Sequence, residues 1–145
     1  MITLNPHSDI QVMGTIKNDY QNQWKNLKND VASRNADVTE AKRDYVAGNM
    51  DAAKFERSQA KAMQADVKSD RTTLSEVHSG ALQLKADFEG RRESISKYNQ
   101  AQHAGDTQAA QQAFHAAKEY SSDVRSQLQS MQPLLAGSGS IDESA

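Results

Sequence analysis

One short phrase occurs twice in this chain of 145 residues. AGNMDAAK, at 47–54, returns 57 residues later as AGDTQAAQ, at 104–111. At the same offset, 13 of the 43 aligned positions from Leu27 to Ser69 are identical, whereas ordinary residue frequencies would give about three by chance. We therefore interpret the chain as two copies of one structural unit, with hairpin 1 at about 9–73 and hairpin 2 at about 76–132.

The repeated phrase predicts a corner between two helices. Gly48 and Gly105 suit the left-handed position that follows the end of a helix. Asn49 and Asp106 come directly after these glycines and suit the N-cap of the next helix. Each copy is therefore expected to form two antiparallel helices joined by a short turn. Single glycines lack the multi-glycine spacing of phosphate-binding loops, so the pattern favours turns over phosphate binding.

The first helix is predicted from its apolar residues, which are separated alternately by three and four positions. It is expected to run from about Asp9 to Val46, after Pro6 and a capping box formed by Ser8 and Gln11. Its aromatic residues are assigned to the core because they lie on the predicted seam. That seam comprises Ile10, Met13, Lys17, Tyr20, Trp24, Leu27, Val31, Arg34, Val38, Ala41 and Tyr45.

The remaining chain is predicted to form two further helices. One heptad register continues through Met50–His103, which favours a single long helix of roughly 81 Å, and a section of three helices is expected around Leu74–Phe88. The last helix is expected from about Asp106 until shortly before Pro133. The fold class is therefore all-α: an antiparallel long-helix coiled coil or bundle made of two duplicated hairpins. It has three long helices, or four if the middle helix breaks near 72–80, where weak helix formers cluster.

Two pairs of charges recur in the predicted seams. Asp30 and Arg34 have the same four-residue spacing as Asp87 and Arg91. We interpret them as partly buried ion pairs along each helix that specify register or partner choice. The alternative is an anion site built from Arg34, Arg91 and Arg92. If the pairs specify register, Arg34→Leu or Arg91→Leu should leave stability unchanged or raise it while relaxing the oligomeric state.

The composition excludes several classes of site. Without cysteine there is no disulfide, thiolate nucleophile or thiolate metal site. A net charge of −2 argues against nucleic acid as a partner, and no apolar stretch approaches the roughly 20 residues of a membrane span. The start lacks the features of a secretory signal, so we expect a cytoplasmic protein, or one exported without a cleavable signal peptide. Residues 1–136 are expected to form one helical domain, followed by a disordered Gly/Ser/acidic tail at 137–145.

The polar residues do not predict catalysis. The carboxylates have the spacing of solvated helix faces, and we assign no catalytic residue, no cofactor and no enzymatic activity. The histidines lack a metal-binding spacing such as HExxH, so we expect surface positions and no metal site. They are His7, His78, His103 and His115.

The functional prediction is based on the low apolar content of the chain. Apolar residues make up 37% of the chain and its mean hydropathy is −0.82, which favours narrow seams between helices over a thick core. We predict a non-enzymatic helical protein–protein interaction component, an adaptor or assembly protein, with an unidentified protein partner and self-association expected. The alternatives are a bacterial secretion-system substrate, effector or chaperone, and a metal- or anion-binding helical bundle.

Overall fold

The computed structural model describes residues 6–135, which form three long helices joined by two-residue corners. Helix α1 spans Pro6–Ala47, α2 spans Met50–Ala104 and α3 spans Thr107–Met131, and a 3₁₀ turn follows at Gln132–Leu134. No β-strand occurs among the described residues. The predicted all-α class with three long helices is therefore confirmed. The predicted disordered tail at 137–145 lies outside the described residues.

Helix α2 continues through 72–80 without a break, as the prediction of one long middle helix requires. The Thr72 hydroxyl donates a hydrogen bond to the Lys68 carbonyl at 3.1 Å, so this weak helix former satisfies its polar group inside the helix. A Cβ on Gly80 would lie 2.6 Å from the Met131 sulfur. Glycine at this point therefore leaves room for a side chain of α3 and does not end α2.

Helix α1 begins at Pro6, ahead of the predicted start at Asp9. Proline is favoured in the first turn of a helix because its missing N–H would have no intrahelical acceptor there. Ser8 consequently lies within the first turn, and the prediction that it forms a capping box with Gln11 at the helix start is wrong.

The first corner is a left-handed glycine turn. Gly48 has a φ of 82°. Its N–H donates to the Tyr45 carbonyl at 3.2 Å, and the Asn49 N–H donates to the Asp44 carbonyl at 2.8 Å. These bonds form a Schellman motif that satisfies the last carbonyls of α1. The Ala53 N–H then donates to the Asn49 carbonyl at 2.9 Å, which starts α2.

The second corner repeats this geometry. Gly105 has a φ of 72°. Its N–H donates to the Gln102 carbonyl at 3.2 Å, and the Asp106 N–H donates to the Ala101 carbonyl at 2.9 Å. The Asp106 carboxylate accepts a hydrogen bond from the Ala109 N–H at 3.0 Å, which makes it the N-cap of α3. The two copies of the phrase therefore form the same turn.

The chain divides into two compact units. The hairpin unit is Tyr20–Glu76 and contains the first corner. The three-helix unit comprises, among the described residues, 6–19 and 77–135, and it therefore contains parts of α1, α2 and α3. The section with three helices, predicted around Leu74–Phe88, thus begins at Val77 and continues beyond Phe88.

Each unit has its own narrow core. In the hairpin unit the buried residues Leu27, Val67 and Leu74 form a cluster against which Tyr20 and Val31 pack. Towards the first corner the buried residues are alanines, because larger side chains there would hold the two helices farther apart. The main buried apolar residues of the three-helix unit are Val12, Ile16, Val77, Leu84, Phe88, Ile95, Ala117, Val124, Leu128 and Met131.

The predicted seam of α1 is wrong in its first turns. Ile10 is 66% exposed, whereas Asp9, Val12 and Ile16 are buried, so the buried face lies one residue earlier than Ile10, Met13 and Lys17. This segment belongs to the three-helix unit, where its contacts differ from those farther along α1. The assignment of two aromatic residues to the core is also wrong, since Trp24 is 46% and Tyr45 is 53% exposed. A hairpin of two helices covers only a narrow stripe of each helix, and these residues flank that stripe.

Candidate interaction surface

Arg91 forms a buried ion pair between helices. It is one of the four charged residues predicted to specify register or partner choice. Its guanidinium donates a hydrogen bond to Asp9 Oδ1, and Arg92 Nε lies 3.7 Å from Asp9 Oδ2. The Asp9 side chain is only 2% exposed. Asp87 instead accepts a hydrogen bond from Gln83 at 3.0 Å. Arg91 is thus bound by a carboxylate from the first turn of α1, not by the aspartate four residues before it.

Arg34 occupies the equivalent position in the hairpin unit and has only neutral partners. One guanidinium nitrogen donates to Gln64 Oε1 of α2 at 2.5 Å. Nε and the other terminal nitrogen donate to Asn35 Oδ1 at 3.2 and 2.9 Å. Among residues 6–135, Arg34 forms no ion pair, with Asp30 or with any other carboxylate. The predicted ion pairs along the helix therefore form in neither copy, because each arginine binds a side chain of another helix: Arg34 binds Gln64 of α2 and Arg91 binds Asp9 of α1.

Asp30 lies against a second carboxylate, Asp70 of α2. Partial burial raises the pKa of the Asp70 carboxyl, and a hydrogen bond with Asp30 and the charges of Asp30 and Asp66 raise it further. This contact places the two residues on the same flank of the hairpin. The seven-residue spacing of the heptad carries that flank further along both helices. We call it the acidic face, and it comprises Asp30, Asp37 and Asp44 of α1 with Glu56 and Asp70 of α2.

The opposite flank of the hairpin unit is apolar and basic. Trp24, Val31, Val38 and Tyr45 follow one another at seven-residue intervals along α1. The Arg57 guanidinium carbon lies 5.5 Å from the centre of the Tyr45 ring, which identifies the adjoining flank of α2. We call this surface the open face. It comprises Trp24, Val31, Arg34, Val38 and Tyr45 of α1 with Met50, Arg57, Gln64 and Arg71 of α2.

The open face combines exposed apolar area with uncompensated positive charge. Trp24, Val38 and Tyr45 are 46%, 38% and 53% exposed. Within residues 6–135, neither Arg57 nor Arg71 forms an ion pair. Aromatic residues and arginines are enriched where proteins bind one another. A partner with apolar and acidic side chains would match this face and would be repelled by the acidic face.

The ionisable side chains bear on the alternative of a metal- or anion-binding site. The described residues contain no group of three or more His, Cys, Asp or Glu side chains that could hold a metal. Arg91 and Arg92, two members of the predicted anion site, both lie beside the Asp9 carboxylate, which offsets one of their two positive charges. The helices within 6–135 also lack a segment long and apolar enough for a membrane crossing.

Comparisons with known proteins found no matching family model, no matching curated sequence and no matching solved structure.

Sequence reasoning missed two features of these surfaces. One is Asp9 as the partner of Arg91: Val12 and Ile16 follow Asp9 at helical spacing, but Met13 and Lys17 follow Ile10 at the same spacing. The exposed flank of α1 was also assigned to the core. Its residues alternate with Leu27 and Ala41 at spacings of four and three, so the pattern alone does not distinguish this flank from the core stripe.

Proposed function

We propose that the chain is a non-enzymatic helical interaction protein and that the hairpin unit binds a protein partner through the open face. One observation carries the proposal: large, half-exposed apolar side chains share a flank with arginines that have no acidic partner in the described chain. The side chains at the centre of binding interfaces are often Trp, Tyr and Arg, and Trp24, Tyr45 and Arg57 supply all three.

The limited core of the hairpin unit also supports this function. Two helices that share one narrow seam bury little apolar surface, and most helical stability in proteins comes from packing against other elements. A third helix or another subunit laid on the open face would bury Trp24 and Val38 and extend the core. The face therefore suits an adaptor or assembly component better than an isolated globule.

Site-specific photo-crosslinking can test the proposal. A photoreactive amino acid at Val38 would lie on the open face, and the same group at Asp37 would lie on the acidic face of the same helix. In the cells that produce the chain, we expect a discrete crosslinked protein from position 38 and none from position 37. Arg57→Glu, which reverses a charge on the open face, should weaken the crosslink.

Two results would contradict the proposal: equal crosslinking from both positions, or no adduct from position 38. If the crosslinked species is a second copy of the chain, self-association through the open face is the function of this surface. Light scattering on the purified protein would then give the mass of a dimer or a larger oligomer.

A further inference from the structure

The chain contains a covered counterpart of the open face. At the 57-residue offset, Val31 corresponds to Phe88 and Val38 to Ile95. Phe88 is 2% exposed and Ile95 is 5% exposed, whereas Val38 is 38% exposed. The same flank is therefore buried in the three-helix unit and half-exposed in the hairpin unit.

The first turns of α1 show what chemistry binds the covered flank. Asp9 supplies the carboxylate for Arg91 and Arg92. Val12 and Ile16, on the same side of the helix as Asp9, are 6% and 2% exposed. Spacings of three and four place these residues on one stripe of a helix. The covering segment is thus an amphipathic helix with an acid followed by apolar residues three and seven positions later.

Arg34 lacks such an acid. It corresponds to Arg91 at the 57-residue offset, but its hydrogen bonds go to the neutral side-chain amides of Gln64 and Asn35. Both groups are charged when a guanidinium binds a carboxylate, whereas only the guanidinium is charged when it binds an amide oxygen, so the carboxylate is attracted more strongly. A carboxylate brought to the open face would therefore be preferred to these amide oxygens.

We propose, on the basis of the interaction function above, that the open face binds an amphipathic helix of another protein with the pattern of α1. That helix presents Asp or Glu to Arg34 and places apolar residues, three and seven positions later, against Val31 and Trp24. Charge directs the helix to this side of the hairpin, because Arg34, Arg57 and Arg71 attract its acid and the acidic face repels it.

A synthetic peptide with the sequence of residues 6–19, PHSDIQVMGTIKND, is the probe. The readout is the fluorescence of Trp24, which is the single tryptophan of the chain, lies on the open face and has no counterpart in the peptide. We expect a saturable blue shift of Trp24 emission as the peptide covers the ring. A second peptide with Gly14→Ala should bind several-fold more tightly, because alanine favours the helix over glycine.

Three variants test the chemistry of the contact. A peptide with Asp9→Asn should lose at least tenfold in affinity, and so should the full-length protein with Arg34→Gln. Arg43→Gln is the matched control: Arg43 is an exposed arginine of the same helix, paired with Glu40 at 3.0 Å, and its loss should leave binding unchanged. Far-UV circular dichroism verifies that each variant is folded.

The possible outcomes separate this inference from the proposed function. No saturable shift at about 1 mM of the Gly14→Ala peptide, a concentration that detects even millimolar affinity, overturns the inference. Equal affinity for wild type and Arg34→Gln also overturns it. A shift that depends on the concentration of the chain alone identifies a second copy as the occupant and again overturns it. In each case crosslinking from Val38 still tests whether the open face binds protein at all.

Discussion

Arg91→Met is expected to destabilise the protein by about 2–4 kcal/mol. The Asp9 side chain is 2% exposed and the Arg91 side chain 13% exposed, so the variant leaves a buried carboxylate without its main partner. Removing one member of a buried ion pair typically costs about 3–5 kcal/mol. We reduce this figure because Arg92 Nε, 3.7 Å from Asp9 Oδ2, remains available to the carboxylate. Methionine retains apolar contact with Phe88, whose ring centre lies 5.3 Å from the Arg91 guanidinium carbon.

Urea unfolding followed by far-UV circular dichroism measures this loss. Arg34→Met is the matched control, because it removes the equivalent arginine at a position where the partners are neutral and solvent is near. It should change the free energy of unfolding by no more than about 0.5 kcal/mol. The double variant Asp9→Leu/Arg91→Met should recover most of the loss, because no buried charge remains unpaired. Equal effects of the two single variants, or no recovery in the double variant, would refute the reasoning.

Four other substitutions have defined outcomes in thermal unfolding. Gly48→Val should cost about 1–2 kcal/mol because Gly48 has a φ of 82°, where a β-branched residue is strained; an unchanged Tm would contradict the left-handed turn. Gly90→Ala should lower stability by about 1 kcal/mol, because the added Cβ would overlap the Tyr120 ring. Gly14→Ala, with nothing within 4 Å of its Cβ, should raise stability by about 0.5–1 kcal/mol, and equal effects at the two glycines would argue against the contact with Tyr120. Asp70→Asn should raise Tm near neutral pH by about 1 °C. Burial and neighbouring carboxylates raise the pKa of Asp70 above its ordinary 3.8. The stability that Asp70 contributes is therefore present below that value and is lost as pH rises through the folded pKa. Asp70→Asn should flatten this part of the profile of stability against pH.

The corners could be predicted from the sequence because their causes are local. A glycine in the left-handed conformation followed by Asn49 or Asp106 needs only the neighbouring helix ends to form its hydrogen bonds. The long middle helix was also accessible, since its apolar register continues through Thr72 and Gly80. At the corners and along α2, helix propensity and the apolar pattern agree with the structure. The exceptions are the weak helix formers at 72–80, which α2 accommodates.

The buried face at the start of α1 could not be settled from local pattern. Asp9, Val12 and Ile16 form one stripe, whereas Ile10 and Met13 belong to another one residue away, and both are compatible with a helix. The choice between them depends on Arg91, which lies 82 residues from Asp9 in the chain. The heptad frame that fits the hairpin unit does not apply to this segment, because the segment belongs to the three-helix unit.

The charged pairs failed as predictions for a related reason. Spacing of four residues shows that Asp30 and Arg34 can meet on one helix, but it does not show what the facing helix offers. In the structure that helix presents Gln64 to Arg34 and Asp70 to Asp30. The partner of a seam residue is therefore a property of the pairing between helices, which local spacing does not contain.

The open face and the covered flank differ in the size of their corresponding side chains. Position 24 of the open face is Trp, and its counterpart at the 57-residue offset is Ala81. A small residue on the covered flank allows another helix to approach, whereas Trp24 holds a large rigid surface outward. At the next corresponding pair along the helix the order of size is reversed, because Phe88 is larger than its counterpart Val31. Under the interpretation of duplication, one copy has the side chains of a closed core and the other has side chains that suit the proposed binding surface, since an exposed tryptophan gives contact area with few rotatable bonds to immobilise.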